Sequence, residues 1–298
     1  MLLSDVYQEW LNYHSIEIES STAYGYELQY RQIHHYFGDA HLEDLTPDAI
    51  QGFIRDLMGR VSPTTARKYC QTLKLCFDFA IKKGYCTGNP IDQVATPKRQ
   101  RVEIAAFEPW EINKILQQPA PDWVRDAIII GYRTGMRLGE IFALDWADIH
   151  LDEQFIAVQR SQCRTGSQVY IKTTKTPSGV RRIDIDTHLA LHFLEMQSRQ
   201  QKVGPSQYVF ASYKDPHKRR IPWNISTYLR DMCKNAGVPG RNFHALRHTH
   251  ASILFAHGKH PKMVQERLGH ADIRTTLATY SHTTPTLQKE AVEVFENL

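Results

Sequence analysis

Between Asn242 and His282 the chain reads NFHALRHTHASILFAHGKHPKMVQERLGHADIRTTLATYSH. His244 and Arg247 form a His-x-x-Arg pair, Leu268 to His270 spell Leu-Gly-His, and Tyr280 follows ten residues after His270. Imidazoles and a guanidinium ahead of a phenol at a fixed remove suit one task, holding a phosphodiester while a tyrosine oxygen attacks it. The non-bridging oxygens gain charge during attack, so preorganised donors aimed at them lower the barrier most. Arginine grips two phosphate oxygens at once with a planar, permanently charged fork. A phenol with an ordinary pKa of about 10 needs a neighbouring base or a positive field to attack at neutral pH.

Single members of this set carry little weight, because the chain has 14 Tyr and 15 His and most such residues are core or surface. His244 and His248, four apart, could also suggest a metal pair. Only Ala-Leu-Arg lies between them, with no acid and no Cys nearby, and two arginines beside them would repel a cation. The ordered set overturns the ordinary reading. It resembles the C-terminal signature of the tyrosine recombinases, the phage-integrase family. Two upstream pieces extend the resemblance: Thr134-Gly135-Met136-Arg137-Leu138-Gly139-Glu140 is similar to the family's T-G-x-R-x-x-E box, and Lys175 lies in Thr174-Lys175-Thr176-Pro177-Ser178-Gly179, similar to its lysine-bearing hairpin.

The resemblance implies that Tyr280 is the nucleophile, that Arg137, Arg247, His244 and His270 hold the phosphoryl oxygens and handle protons, and that Lys175 protonates the leaving 5′ oxygen. Lys172 is the second choice for that lysine. It implies cleavage and rejoining of DNA through a 3′-phosphotyrosine, with no metal and no other cofactor, in a protein that integrates or excises a mobile element, such as a viral genome. The implied partners are double-stranded DNA attachment sites and further copies of the chain in a tetrameric synapse, with a directionality or bending factor as a possible addition. Two alternatives stand beside this reading: a type IB topoisomerase-like nicking and resealing enzyme, and a catalytically silent DNA-binding protein on the same scaffold.

Composition bounds the rest. The 298 residues suffice for two cored domains, and 42% hydrophobic with 23% charged residues is ordinary for a globular protein. A net charge of +4 excludes a nonspecific polycation, so nucleic-acid affinity must come from local patches. The cysteines at 70, 76, 86, 163 and 233 are odd in number and scattered, which reads as reduced thiols in a cytoplasmic protein; the resemblance implies that it is nucleoid-associated when bound to DNA. No signal peptide is evident at Met1-Leu2-Leu3-Ser4-Asp5, and the apolar run Ala127 to Ile130 is too short to span a membrane.

The elements that must position the cage follow from periodicity and punctuation. Residues 4–14 predict a helix with Val6, Trp10 and Tyr13 inward. Ser20-Ser21-Thr22, Thr46-Pro47 and Ser62-Pro63 open three more helices, the last with Ala66, Tyr69, Leu73, Phe77 and Ala80 inward. The aromatic stripe of this bundle reads as core. Periodicity leaves DNA binding by this half open, and the resemblance implies that residues 1–91 are a helical core-binding, DNA-binding domain; residues 92–106 are expected to be a linker, residues 107–284 the catalytic domain and residues 285–298 a tail helix with Leu287, Ala291, Val294 and Phe295 at helical spacing. Residues 1–20 leave no room for the arm-site domain of many relatives, either because the protein is simpler or because the chain was trimmed. The fold class expected is mainly α with a small antiparallel β-sheet, an N-terminal bundle followed by an α+β catalytic domain.

Within the second domain, Gly135 breaks one helix and sets Arg137 in the first turn of the next, where Glu140 orients an arginine. Residues 155–159, 169–172 and 180–185 predict strands of one sheet, with Lys175 at the turn of the last hairpin. Helices follow at about 187–202 and 222–236, and Asp272 caps the one carrying Tyr280. Candidates for DNA contact are Lys98, Arg99 and Arg101 in the linker, Lys172, Arg181 and Arg182 around the hairpin, and Lys218, Arg219 and Arg220 in a basic loop.

Overall fold

Short polar side chains followed by proline start two of the first four helices, and both do so by the same hydrogen bond. The computed structural model describes residues 1–98, 105–173, 179–274 and 277. Thr46 accepts from the Ala49 amide at 3.2 Å ahead of α3 (Pro47–Met58), and Ser62 accepts from the Thr65 amide at 3.2 Å ahead of α4 (Pro63–Lys82), after α1 (Leu3–His14) and α2 (Ser20–Phe37). Proline at the next position has no amide to leave unsatisfied, which makes these boundaries sharp.

The chain divides near residue 102 into two compact units. The first is the four-helix bundle, cored by Val6, Trp10, Ile33, Ile50, Phe53, Leu73 and Phe77. Tyr7, not Tyr13, completes the inner face of α1: Tyr13 is 61% exposed, whereas Leu3, Val6, Tyr7, Trp10 and Leu11 are buried. Tyr7 can go inside because its hydroxyl donates to the Tyr26 carbonyl at 3.0 Å. Without that bond, a buried hydroxyl would cost on the order of 1–3 kcal/mol.

In the second unit, α5 (Pro109–Leu116) and α6 (Asp122–Thr134) lead into the single turn α7 (Leu138–Ile141). Five strands follow: β1 (Ile149–His150), β2 (Phe155–Val158), β3 (Arg160–Thr165), β4 (Gln168–Thr173) and β5 (Arg181–Asp184). Then come α8 (Thr187–Val203), α9 (Ile225–Asn235), α10 (His244–Ala256) and α11 (Pro261–Leu268). The core holds Ile112, Val124, Ile128, Phe142, Ile156, Phe193, Leu229 and Leu246. α10 packs along α6, where Gly131 makes room: a Cβ there would meet the Phe243 ring at 3.1 Å.

The strands depart from the expected single sheet. β1, β2 and β5 form one antiparallel sheet, with Ile156 opposite Ile183 and Val158 opposite Arg181, while β3 and β4 pair separately around Gly166 at φ +59°. Among the described residues β4 therefore does not pair with β5 as the predicted last hairpin required. The apolar alternation of β2 selects β5 as its partner because Ile156, Val158 and Ile183 then share the buried face. α9 also starts later than Pro222, because Trp223 and Asn224 make a turn first: the Trp223 amide bonds Ile221 and the Ile225 amide bonds Pro222. Among the described residues no helix is long and apolar enough to cross a membrane.

Candidate active site

Two left-handed glycines build the floor of the site. Gly135 ends α6 at φ +68° and Gly269 ends α11 at φ +68°, a conformation that costs other residues about 1–2 kcal/mol. Each turns its carbonyl toward a guanidinium. Arg247 Nη1 donates to the Gly135 oxygen at 2.9 Å, and Arg137 Nη2 donates to the Gly269 oxygen at 2.9 Å. The chain that follows each glycine carries site residues as well, Arg137 after the first and His270 after the second.

Arg137 is the N-cap residue of α7, one position ahead of the first-turn placement expected. Its amide donates to Glu140 Oε2 at 2.9 Å and its Nη1 to Glu140 Oε1 at 2.8 Å. Glu140, 2% exposed, also takes Arg181 Nη2 at 2.7 Å and Nη1 at 3.1 Å. Burial alone would raise the Glu140 pKa. The Arg181 hydrogen bond and charge, followed by the Arg137 amide and charge, reverse this and hold it below the usual carboxylate range. The carboxylate is thus a fixed anion that orients two arginines.

Arg247 differs. It is 3% exposed, and its Nε and Nη2 have no hydrogen-bond partner among the described residues. Burial, then the charge of Arg137, pushes its pKa down to about 9, which still leaves it charged at neutral pH. His244 opens α10 one turn before Arg247, and its ring meets His248 edge-on with centroids 5.0 Å apart. His270 lies beyond the Gly269 corner, with the Gln265 side chain donating to its carbonyl at 3.0 Å.

The imidazoles share the electrostatics of the arginines. Burial, then His248, Arg247 and Arg137, lowers His244 to about 4. Burial, then Arg247, Arg137 and His244, lowers His270 to about 4, and His248 moves the same way. Each is a neutral ring at pH 7, able to accept a proton or to donate one N–H. Arg137, Arg247, His244 and His270 therefore sit close enough to press on one another's protons, and the net positive field between them favours an anion. A cavity of about 400 Å³ opens beside His270, lined also by Val180, Arg181, Lys262, Gln265 and Gly269. Among the described residues no group of three or more His, Cys, Asp or Glu side chains could hold a metal ion.

Not every predicted site residue falls within view or in its predicted role. Lys175 and Tyr280 lie outside the described residues, as do Arg99, Arg101 and the tail 285–298. Arg181 and Arg219 do not face outward as DNA contacts. Arg181 is committed to Glu140, and Arg219 to Asp145 at 2.6 Å and the Ala143 carbonyl at 2.8 Å, acceptors that offset the cost of taking a guanidinium out of water. Arg182 is exposed, pairs with Asp184 at 2.7 Å and lies 3.8 Å over the Phe155 ring. Lys98 and Lys218 are exposed, the latter 3.2 Å from Asp215, and Lys172 is half-buried on β4. Arg220 sits half-buried over the Trp123 ring at 5.0 Å. Two residues escaped the reading of the sequence altogether, His250 and Arg267. Both lie inside the quoted signature, but nothing in their type or spacing marks them apart from its other cations.

A model of the phage integrase family matches residues 105–286, and a model of the phage integrase N-terminal SAM-like domain matches residues 2–58. The ICEBs1 integrase of Bacillus subtilis (strain 168) is 27% identical over 95% of this chain and 80% of its own length. A XerC-like tyrosine recombinase of Caldanaerobacter subterraneus subsp. tengcongensis is 31% identical over 80% of this chain and 67% of its own. The Tn1549 transposon integrase, solved with a circular intermediate DNA, superposes with a TM-score of 0.84 at 22% identity over 99% of both chains. A lambda integrase dimer on a COC′ core site gives 0.74 at 20% identity over 96% of this chain and 97% of that one. These matches define a site-specific tyrosine recombinase, an enzyme that cleaves and rejoins DNA. The chain belongs to the phage integrase family.

Proposed function

We propose that Arg137, Arg247, His244 and His270 receive the scissile phosphodiester and that Tyr280 attacks it. One observation carries this reading: Arg247 is buried with two nitrogens that have no acceptor among the described residues, which costs on the order of 1–3 kcal/mol per unmet group until an anion arrives. The phosphodiester meets Arg247 Nε and Nη2 with its non-bridging oxygens, and Arg137 approaches from the opposite glycine corner. The Tyr280 oxygen forms a bond to phosphorus, the phosphorus bond to the 5′ oxygen breaks, and a 3′-phosphotyrosine results. The phenol proton passes to a neutral imidazole, His244 or His270, whose basicity rises once phosphate charge offsets the arginines. Lys175 gives its proton to the departing 5′ oxygen. Attack by a 5′-hydroxyl reverses the step, so the ester conserves the energy of the bond.

Glu140 holds Arg137 in place throughout. The proposed layout is a DNA-binding bundle over residues 1–91, a linker over 92–106, a catalytic domain over 107–284 and a tail helix over 285–298. Lys98, Arg99, Arg101, Lys172, Arg182, Lys218 and Arg220 are the proposed phosphate contacts. The enzyme acts on double-stranded attachment sites as a homo-oligomer, a tetramer in the synapse, in the cytoplasm beside the nucleoid. Integration or excision of a mobile element is the reaction it serves, a reading supported by likeness to the ICEBs1 integrase, a staphylococcal phage integrase and a transposon integrase.

The test uses a nicked duplex built from the repeats that flank the coding region, so that the cleaved fragment diffuses away and traps the adduct. The wild-type chain is expected to form a covalent species that Tyr280→Phe lacks, with DNA binding retained. An adduct persisting in Tyr280→Phe would mean that another residue is the nucleophile.

A further inference from the structure

Among the described residues His250 and Arg267 make no hydrogen bond to Arg137, Arg247, His244 or His270, yet they join the helix ends that orient the two arginines. His250 is 8% exposed on α10, and its Nδ1 lies 2.9 Å from the Tyr132 carbonyl in the last turn of α6. A carbonyl only accepts, so Nδ1 carries the proton and Nε2 is left as an acceptor. Arg267 Nε fills that position at 3.0 Å. The other two nitrogens of Arg267, on the last turn of α11, donate to the Asp184 carbonyl of β5 at 3.0 Å and the Arg133 carbonyl of α6 at 3.4 Å. The Arg267 carbonyl in turn accepts from Arg181 Nε at 2.9 Å, and Arg181 clamps the carboxylate of Glu140.

These bonds fasten the end of α6 to the end of α11, the two helix ends that terminate in Gly135 and Gly269. The glycine corners also touch directly: a Cβ on Gly135 would lie 2.5 Å from Leu268 Cδ2 and 2.9 Å from His250 Cδ2. One corner carries the carbonyl that orients Arg247, and the other carries the carbonyl that orients Arg137. We infer that His250 and Arg267 are positioning residues, a bolt between the two glycine corners that sets the separation of the Arg137 and Arg247 guanidiniums so that both face one phosphate. The inference rests on the phosphate-site reading above. A neutral His250 suits the role, since a second ring proton would point at the Arg267 guanidinium.

The position of a phosphate fork must hold to within a fraction of an ångström to keep both guanidiniums in hydrogen-bond range. The test titrates inorganic phosphate into the folded full-length chain and follows the ring nitrogen signals of His244 and His270. Arg267→Met is expected to weaken phosphate about 10-fold in protein that remains folded, with Arg267→Lys intermediate, the order expected when only part of the bolt is restored. In an Arg247→Met background the same Arg267→Met change is expected to alter affinity less than about 2-fold, because one of the two positioned groups is already gone. A merely structural role would cost the same in both backgrounds, and that additive result, or an unchanged affinity in Arg267→Met, overturns the inference while leaving the phosphate site intact. A wild-type chain whose His244 and His270 signals ignore phosphate overturns the site reading and the bolt with it. Should Arg267→Met fail to fold, His250→Gln, which can keep one of the two ring bonds, carries the same comparison.

Discussion

The side chains of Arg181, 6% exposed, and of buried Arg247 lie within the same unit, and they are treated oppositely. Arg181 gives three nitrogens to protein: two grip Glu140, and the third reaches the Arg267 carbonyl. Arg247 makes one bond, to Gly135, and keeps two N–H groups without protein partners among the described residues. Folding satisfies the first completely and leaves the second short. A buried charge that the protein does not neutralise is a receptor for an external one, so the difference separates a guanidinium that builds the site from one that waits for substrate.

Removing each charge should break the comparison in opposite directions. Arg247→Met is expected to lower adduct formation on the suicide duplex by about 100- to 1000-fold, the loss typical of a transition-state donor. Its unfolding free energy in urea should fall by no more than about 1 kcal/mol, since among the described residues the only hydrogen bond lost is to one carbonyl. Arg181→Met should cost about 3 kcal/mol in the same urea titration, because Glu140 is left buried beside a single arginine. Equal destabilisation by the two variants would erase the distinction between them.

A smaller effect sharpens it. His244 and His270 are held at about 4, below the ordinary histidine value of about 6.5. Between those values the unfolded chain binds more protons than the folded one, so stability is full above about pH 6.5 and falls as pH drops toward 4. Arg247 is among the causes of both depressions, so the slope of urea midpoint against pH should flatten in Arg247→Met. His244 is the more exposed ring and should contribute the smaller share. A slope unchanged by the substitution would mean that burial alone sets these rings.

What could be read from the amino-acid order was whatever depends on near neighbours. Thr46-Pro47 and Ser62-Pro63 mark helix starts because the cap bond spans three residues, and Gly135 marks a stop because only glycine adopts its φ cheaply. The order of Arg137, His244, Arg247 and His270 pointed to phosphate chemistry because the residue types themselves carry it. Partners chosen across long intervals were not legible. Arg181 finds Glu140 at 41 residues and Arg219 finds Asp145 at 74, so two cations expected on the surface became internal ties. β4 pairs with β3 and not β5 for the same reason, since the buried faces of β2 and β5 are matched only in three dimensions.

The most direct measurement is the anomalous scattering of a crystal soaked in tungstate, a heavy tetrahedral anion of phosphate shape. Tungsten is expected within hydrogen-bonding reach of Arg247 Nε and Nη2, with Arg137, His244 and His270 around it, and absent from the same position in Arg247→Met. Tungsten bound elsewhere while those two nitrogens stay without an anion would contradict the account.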